Sequence, residues 1–317
     1  MKKKELRKLK KLLKQEKHHY IPQFYLRPWL DTDDKLEEYG RVPPSNQIRS
    51  RRRGTDSTGF VYNLYTLPGT TEDTKQNVER VFFGKVDTDA AKVRDKLLAG
   101  APLSLPDRFN WARFILSLIL RNPEEVLKMK VSVNAIFDQP DAELQAKYLK
   151  FRQPHEPATA EEAIRQQYPE APDRSALLIG TQLIQNQNAM RTIAGMSWSI
   201  IRTDKASRRL VTSDRPVVMT GGLLRLDGHI CLPISPRHLF VACTLKPTMD
   251  AFLKTPKSKL VRESNAQQIG QARLHVYGWD KTDLAEVPVV CPGGNTDRLS
   301  GLRKRLPNRR DGGRIGA

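Results

Sequence analysis

The spacing of apolar residues changes from a helical period to a strand-like period near residue 197. Helices are predicted over residues 74–98, 126–137, 174–196 and 258–272, where apolar residues recur every three or four positions. One more helix begins at Ser104 or Leu105 and runs through Ile119 until Pro123 ends or kinks it. The polar, proline-containing region 139–173 is predicted to be a lid or an insertion.

Short apolar runs separated by turn residues predict strands, most of them after residue 197. They cover residues 36–39, 60–67, 198–202, 210–212, 217–219, 230–234, 239–242 and 275–279. Residues 43–54 are predicted to be a basic loop, and the late strands are predicted to form one antiparallel sheet. The sequence therefore predicts an α+β fold, with a mainly helical N-terminal half and a C-terminal half in which a short-stranded, mostly antiparallel sheet packs on helices.

An aromatic segment, residues 18–30, precedes these elements. Pro22 and Pro28 limit it to a short helix, on which the apolar side chains cannot all face one way, so we expect the rest of the protein to enclose it. His19, Gln23 and Arg27 would share one helical face if the helix reached back to His19. Two interpretations stay open: these polar groups line a pocket, or they only attach the N-terminal leader by hydrogen bonds.

The net charge of +19 lies mainly in the two terminal segments. Residues 1–17 hold nine Lys or Arg against two Glu, and residues 298–317 hold seven against one Asp. The sequence therefore predicts a basic amphipathic leader (1–17), a single α+β domain (18–285) and a basic disordered tail (286–317). The leader could lie on an anionic surface or on a partner protein. The residues expected to contact nucleic acid are Arg49, Arg51, Arg52, Arg53, Arg303, Lys304 and Arg305. The alternative is that the basic tails only aid solubility, or contact ribosomes and membranes incidentally.

Several classes of site and protein are disfavoured by composition. The longest apolar run is too short to cross a bilayer, no targeting segment is evident, and three cysteines without a CxxC pair suit a reducing cytoplasm. His229, Cys231, His238 and Cys243 match no structural zinc pattern, so no metal is predicted. The sequence assigns no particular cofactor and excludes none. The acidic run at residues 31–34 lacks the glycine and glutamate of a calcium loop and is predicted to be a turn.

Several motifs together resemble one family. The segment His19-Tyr20-Ile21-Pro22-Gln23-Phe24-Tyr25-Leu26 is similar to the N-terminal signature of the mostly bacterial domain-of-unknown-function family 4238, and Trp198 followed by Val211-Thr212-Ser213-Asp214-Arg215-Pro216 is similar to a second signature. Leu232-Pro233-Ile234-Ser235-Pro236 and the Asn265 helix also fit. The resemblance covers roughly residues 18–280 and departs at Pro28-Trp29, where a basic or polar residue and Phe are more usual. It implies no particular activity.

No standard catalytic motif is present, so candidate chemistry depends on separate motifs coming together. His19, Arg121 and Asp214 are the candidate catalytic residues, with Asp214 as a general base or as the carboxylate that orients a histidine. The candidate substrate-binding residues are Gln23, Arg27, Ser213 and Asn265.

These residues permit three functions. The first is a nucleic-acid-engaging effector with possible nuclease-like hydrolytic activity. The second is a non-enzymatic interaction or regulatory module in which the polar residues are structural. The third, a small-molecule hydrolase, is disfavoured because no nucleophile motif surrounds Ser213.

Overall fold

A computed structural model of the chain describes residues 15–42, 47–223 and 225–284. Most of the predicted leader lies outside these ranges, and so do the predicted tail and its Arg303, Lys304 and Arg305. The division into leader, domain and tail therefore stays a prediction.

The strands of the described part form three antiparallel sheets. In chain order they are β1 (Lys17–His19), β2 (Leu36–Val42), β3 (Gln47–Arg53), β4 (Phe60–Tyr62), β5 (Ser197–Arg202), β6 (Thr212–Ser213), β7 (Val218–Thr220), β8 (His229–Ser235), β9 (His238–Cys243) and β10 (His275–Gly278). The sheets have the strand orders β1-β4, β3-β2-β10-β6 and β5-β9-β8-β7. The second sheet pairs β2 with β10, so it joins the two ends of the described chain.

The α-helices lie mainly between β4 and β5. In chain order they are α1 (Gln23–Leu26), α2 (Gly84–Ala99), α3 (Leu105–Leu120), α4 (Pro123–Phe137), α5 (Ala142–Leu149), α6 (Ala160–Gln167), α7 (Ala171–Ile184), α8 (Gln187–Gly195), α9 (Lys246–Lys254) and α10 (Lys257–Gln271). A six-residue π-helix (Val78–Phe83) leads directly into α2. Helices together with antiparallel sheets confirm the predicted α+β class.

Helix boundaries in the middle of the chain follow the predicted capping signals. The Ser104 side chain accepts the Asp107 N–H, and the Asp107 carboxylate accepts the Ser104 N–H, so a capping box begins α3. Pro123 ends this helix rather than kinking it, because α4 begins at Pro123 with Asn122 as its N-cap.

Four sequence predictions about secondary structure were wrong or incomplete. The predicted basic loop contains β3, which pairs with β2 along its whole length. The predicted helix over residues 174–196 is two helices, because the Asn186 side chain accepts the Ala189 N–H and begins α8. The polar region 139–173 contains α5 and α6, and helix α9 was not predicted. The late strands, predicted to form one sheet, are divided between two.

The aromatic segment lies in the main hydrophobic core, as predicted. Tyr25, Leu26 and Trp29 are fully buried, and Tyr25 packs against Phe114 of α3 with 6.1 Å between ring centroids. The Tyr25 hydroxyl lies 2.7 Å from Thr212 Oγ1, and Trp29 Nε1 donates to the Leu210 carbonyl at 3.0 Å. The segment therefore attaches the helices to the strand that carries the Thr-Ser-Asp motif.

None of the helices in the described ranges is both long enough and apolar enough to span a membrane.

Candidate functional site

His19 and Arg121 lie in one polar cluster, together with Glu79 and Asp87. Strand β1 places the His19 N–H 3.2 Å from Glu79 Oε1, on the π-helix. Arg121 follows α3, and its Nη1 donates to Asp87 Oδ1 at 3.0 Å. The Arg121 charge acts on the pKa of both His19 and Glu79, so the two contacts belong to one group.

Arg121 is the most enclosed member of this cluster. Its side chain has no exposed area, and the guanidinium carbon lies 5.3 Å from the centre of the Phe83 ring. The Tyr65 hydroxyl donates to the Arg121 carbonyl, so the backbone is also held. Nε and Nη2 have no hydrogen-bond partner within the described ranges. A buried cation with two unpaired donors stabilises the charged form of the carboxyl groups around it.

The cluster reverses the usual order in which a carboxyl and an imidazole titrate. Burial raises the pKa of Glu79 from 4.5 to about 7, although Arg121 acts in the opposite direction. Burial, followed by the charges of Lys17 and Arg121, lowers the pKa of His19 from 6.5 to about 4. Burial also raises the pKa of Asp87, and Arg121 partly offsets this rise. Near neutral pH, Glu79 therefore exchanges a proton readily while the His19 imidazole is neutral.

Sequence reasoning did not identify Glu79. It lies between Val78 and Val81 in a segment read as an ordinary amphipathic helix, and its burial depends on the distant His19 and Arg121. The structural signal is the π-helix, a rare element that often occurs at functional sites.

The other polar residues of the aromatic segment do not join the cluster. Gln23 begins α1 and accepts a hydrogen bond from Thr55 Oγ1 at 3.5 Å, while Arg27 is exposed. His19 belongs to β1, so the helix does not reach back to it and the conditional shared face is absent. His18, which was not a candidate, is fully buried and its Nδ1 accepts the Tyr65 N–H at 2.8 Å.

Asp214 is held by backbone groups of the segment before β10. Its carboxylate accepts the N–H groups of Arg273 at 2.9 Å, Leu274 at 2.6 Å and His275 at 3.2 Å. Its carbonyl accepts from Asn122 Nδ2 at 3.1 Å. Burial raises the pKa of Asp214, and the three N–H groups oppose that rise. The structure therefore brings two of the three candidate catalytic residues together and gives Asp214 a separate set of contacts.

Ser213 and Asn265 attach the Thr-Ser-Asp segment to α10. Ser213 Oγ donates to Gln268 Oε1 at 2.8 Å. Asn265 Oδ1 accepts the Val211 N–H at 3.0 Å, and its Nδ2 donates to the Arg209 carbonyl at 2.9 Å. Both residues are buried, so these hydrogen bonds account for their polar side chains without a substrate.

Four of the residues predicted to bind nucleic acid, Arg49, Arg51, Arg52 and Arg53, lie in the described ranges, and all are on β3 at the edge of its sheet. Arg52 pairs with Asp31 and, at 2.9 Å, with Asp33. Arg53 lies 3.7 Å from Glu38. Arg49 and Arg51 are exposed and form no ion pair with the described residues. Two cations on this edge are therefore available to a ligand.

The candidate zinc ligands are not assembled. Within residues 15–42, 47–223 and 225–284, no group of three or more His, Cys, Asp or Glu could hold a metal ion. His238 Nδ1 lies 2.7 Å from Ser235 Oγ. Burial raises the pKa of the Cys231 thiol to about 12 and of the Cys243 thiol to about 11, as expected for thiols in an apolar core.

A family model described as "Protein of unknown function (DUF4238)" matches residues 17–282. The chain belongs to the DUF4238 family. The matched range contains all four members of the polar cluster of this DUF4238 protein, together with Asp214 and β3. No curated protein and no solved structure gives a significant match to the chain.

Proposed function

We propose that this DUF4238 protein binds nucleic acid through the exposed arginines of β3, assisted by its basic terminal segments. The observation that carries the proposal is a difference in ion pairing along this strand. Arg52 and Arg53 are paired with carboxylates. Arg49 and Arg51 are exposed and have no such partner in the described chain. Exposed guanidinium groups neutralise phosphates and release the counterions condensed on nucleic acid.

The arrangement of the two arginines supports this proposal. Arg49 and Arg51 are two residues apart on one strand, so their side chains leave the same face about 7 Å from each other. They lie on an edge strand, which an extended ligand can reach from the side. The net charge of +19 adds long-range attraction for a polyanion.

Binding of fluorescein-labelled 20-nucleotide single-stranded DNA, duplex DNA and single-stranded RNA, followed by fluorescence anisotropy, tests the proposal. The Arg49→Gln/Arg51→Gln variant should bind at least about tenfold more weakly at low salt. A matched control removes the same charge elsewhere, from Arg202 and Arg225, which are exposed and pair with Asp204 and Asp227. If both double variants lost the same amount of affinity, binding would depend only on the net charge and not on the β3 arginines, which would contradict the proposal.

The terminal segments enter the proposal by their charge alone. Deleting residues 1–14, or residues 286–317 with Arg303, Lys304 and Arg305, should weaken binding and reduce its salt dependence. Binding that is unchanged by both deletions would confine the interface to the folded domain.

We also propose a hydrolytic activity for the polar cluster, on the evidence of Glu79. A carboxyl that titrates at about 7, accepts the His19 backbone N–H and interacts with a buried guanidinium has the properties of an acid/base group near an anion-stabilising cation. Cleavage of the labelled oligonucleotides, resolved on denaturing gels, is the assay. Activity in the wild type that Glu79→Gln abolishes without loss of binding supports hydrolysis; intact oligonucleotides would support the non-enzymatic module instead.

A further inference from the structure

Strand register places Arg49, Gly40 and His275 in one row across the second sheet. Gly40 of β2 is directly opposite Arg49 of β3 on one side and His275 of β10 on the other. The Asp214 N–H donates to the His275 carbonyl at 3.0 Å, so Asp214 continues the row. Directly opposed residues of antiparallel strands point to the same face, so the Arg49 and His275 side chains flank Gly40.

Glycine at position 40 makes room for the imidazole. A Cβ atom at this position would lie 3.0 Å from His275 Nδ1 and 3.3 Å from the Leu274 carbonyl oxygen. The His275 ring therefore leans over Gly40, into the gap between β3 and β10. Its Nδ1 is enclosed and has no hydrogen-bond partner within the described ranges, which leaves Nε2 as the nitrogen through which the ring meets a ligand.

The neighbouring row on the same face is largely covered by other parts of the protein. There Arg51 is opposite Glu38, and Glu38 is opposite Tyr277. Tyr277 is fully buried and Glu38 nearly so, and Tyr20 of the aromatic segment hydrogen-bonds to Tyr277. The row of Arg49, Gly40 and His275 is accessible to solvent, because Arg49 is exposed and His275 is only partly buried. This face of the sheet is therefore accessible to a ligand where the Arg49 and His275 side chains lie on either side of Gly40.

We infer that Arg49 and His275 form a binding site for one phosphate group, seated over Gly40. The guanidinium binds two phosphate oxygens and the imidazole N–H binds a third, while the Asp214 carboxylate accepts the His275 N–H and so fixes the backbone of His275. This inference deepens the proposed nucleic-acid function, on which it rests, by naming the phosphodiester group as the recognised unit and His275 as a second contact. His275 was not among the sequence-based candidates.

Two probes test the site independently. In the first, sodium phosphate is titrated into the isotope-labelled full chain while the histidine ring nitrogens are followed by NMR. The His275 signals should shift and saturate, and Arg49→Gln should raise the apparent dissociation constant by about tenfold. His238, which is half-buried and bonded to Ser235, is the internal control. A His275 shift no larger than that of His238 would overturn the inference.

In the second experiment, anisotropy measures oligonucleotide binding by His275→Gln, after the amide spectrum has shown that the variant is folded. The expected loss of affinity is about threefold to tenfold. Wild-type affinity in this variant together with no phosphate shift at His275 overturns the phosphate site but leaves binding by β3 intact. A phosphate shift at His275 in a chain that binds no oligonucleotide overturns the nucleic-acid function but supports the phosphate site.

Discussion

The raised pKa of Glu79 makes the stability of the protein depend on pH in a way that one substitution can isolate. Glu79→Gln removes the titrating group and keeps an amide oxygen to accept the His19 N–H. The folded protein binds the Glu79 proton more tightly than the unfolded chain does. The stability that this contributes is complete below pH 4.5 and is lost as the pH rises through about 7.

The expected magnitude follows from the pKa values. A rise from 4.5 to about 7 corresponds to ~3 kcal/mol. Glu79 keeps some contact with solvent, so we expect about 1–2 kcal/mol. His19 acts in the opposite direction, because its lowered pKa contributes stability above pH 6.5 that is lost as the pH falls toward 4. The wild-type profile mixes both trends, and the difference between wild type and Glu79→Gln removes the contribution of His19.

The assay is urea unfolding of both proteins at pH values from 4 to 8. The free energy of unfolding of wild type, relative to Glu79→Gln, should fall by about 1–2 kcal/mol between pH 4.5 and 7.5. Glu72→Gln, on an exposed residue that pairs with Lys75, is the control and should show a much smaller difference. A difference for Glu79→Gln that stays flat with pH, or rises, would refute the account of the cluster.

Three further substitutions test the contacts that hold the site. Asp214→Asn turns an amide group toward at least one backbone N–H that the carboxylate now accepts, so we expect a loss of about 1–3 kcal/mol in urea unfolding; an unchanged midpoint would show that these bonds are dispensable. Tyr25→Phe removes the hydroxyl that donates to the Pro233 carbonyl at 2.6 Å, and should cost about 1–2 kcal/mol in the same assay, against no measurable loss if another group replaces it. Arg121→Gln removes the charge that lowers the pKa of Glu79, so the pH range in which the Glu79 contribution is lost should move upward; a range that stays in place would exclude their interaction.

Local signals in the sequence predicted local structure well. Ser104, Pro106 and Asp107 identify the start of α3 because they satisfy its first N–H groups regardless of the rest of the fold. The crowding of aromatic and aliphatic residues into residues 24–30 likewise predicts burial, because no single helical face can hold them all.

The parts that were missed depend on distant segments. The β3 strand reads as a loop because its arginines hide the alternation of a strand, and only its pairing with β2 shows the edge. Glu79 becomes a titrating group because β1 and the end of α3 enclose it. The pairing of β2 with β10 brings Gly40 to His275, and no periodicity within either segment predicts that register.

The salt dependence of oligonucleotide binding tests the central claim, that Arg49 and Arg51 contact nucleic-acid phosphates, most directly. Each lost phosphate contact lowers the slope of log affinity against log salt concentration by about 0.9 for duplex DNA. The Arg49→Gln/Arg51→Gln variant should therefore show a slope smaller than that of wild type by about two, with the Arg202→Gln/Arg225→Gln control close to wild type. A slope identical to that of wild type in the β3 variant would contradict the account.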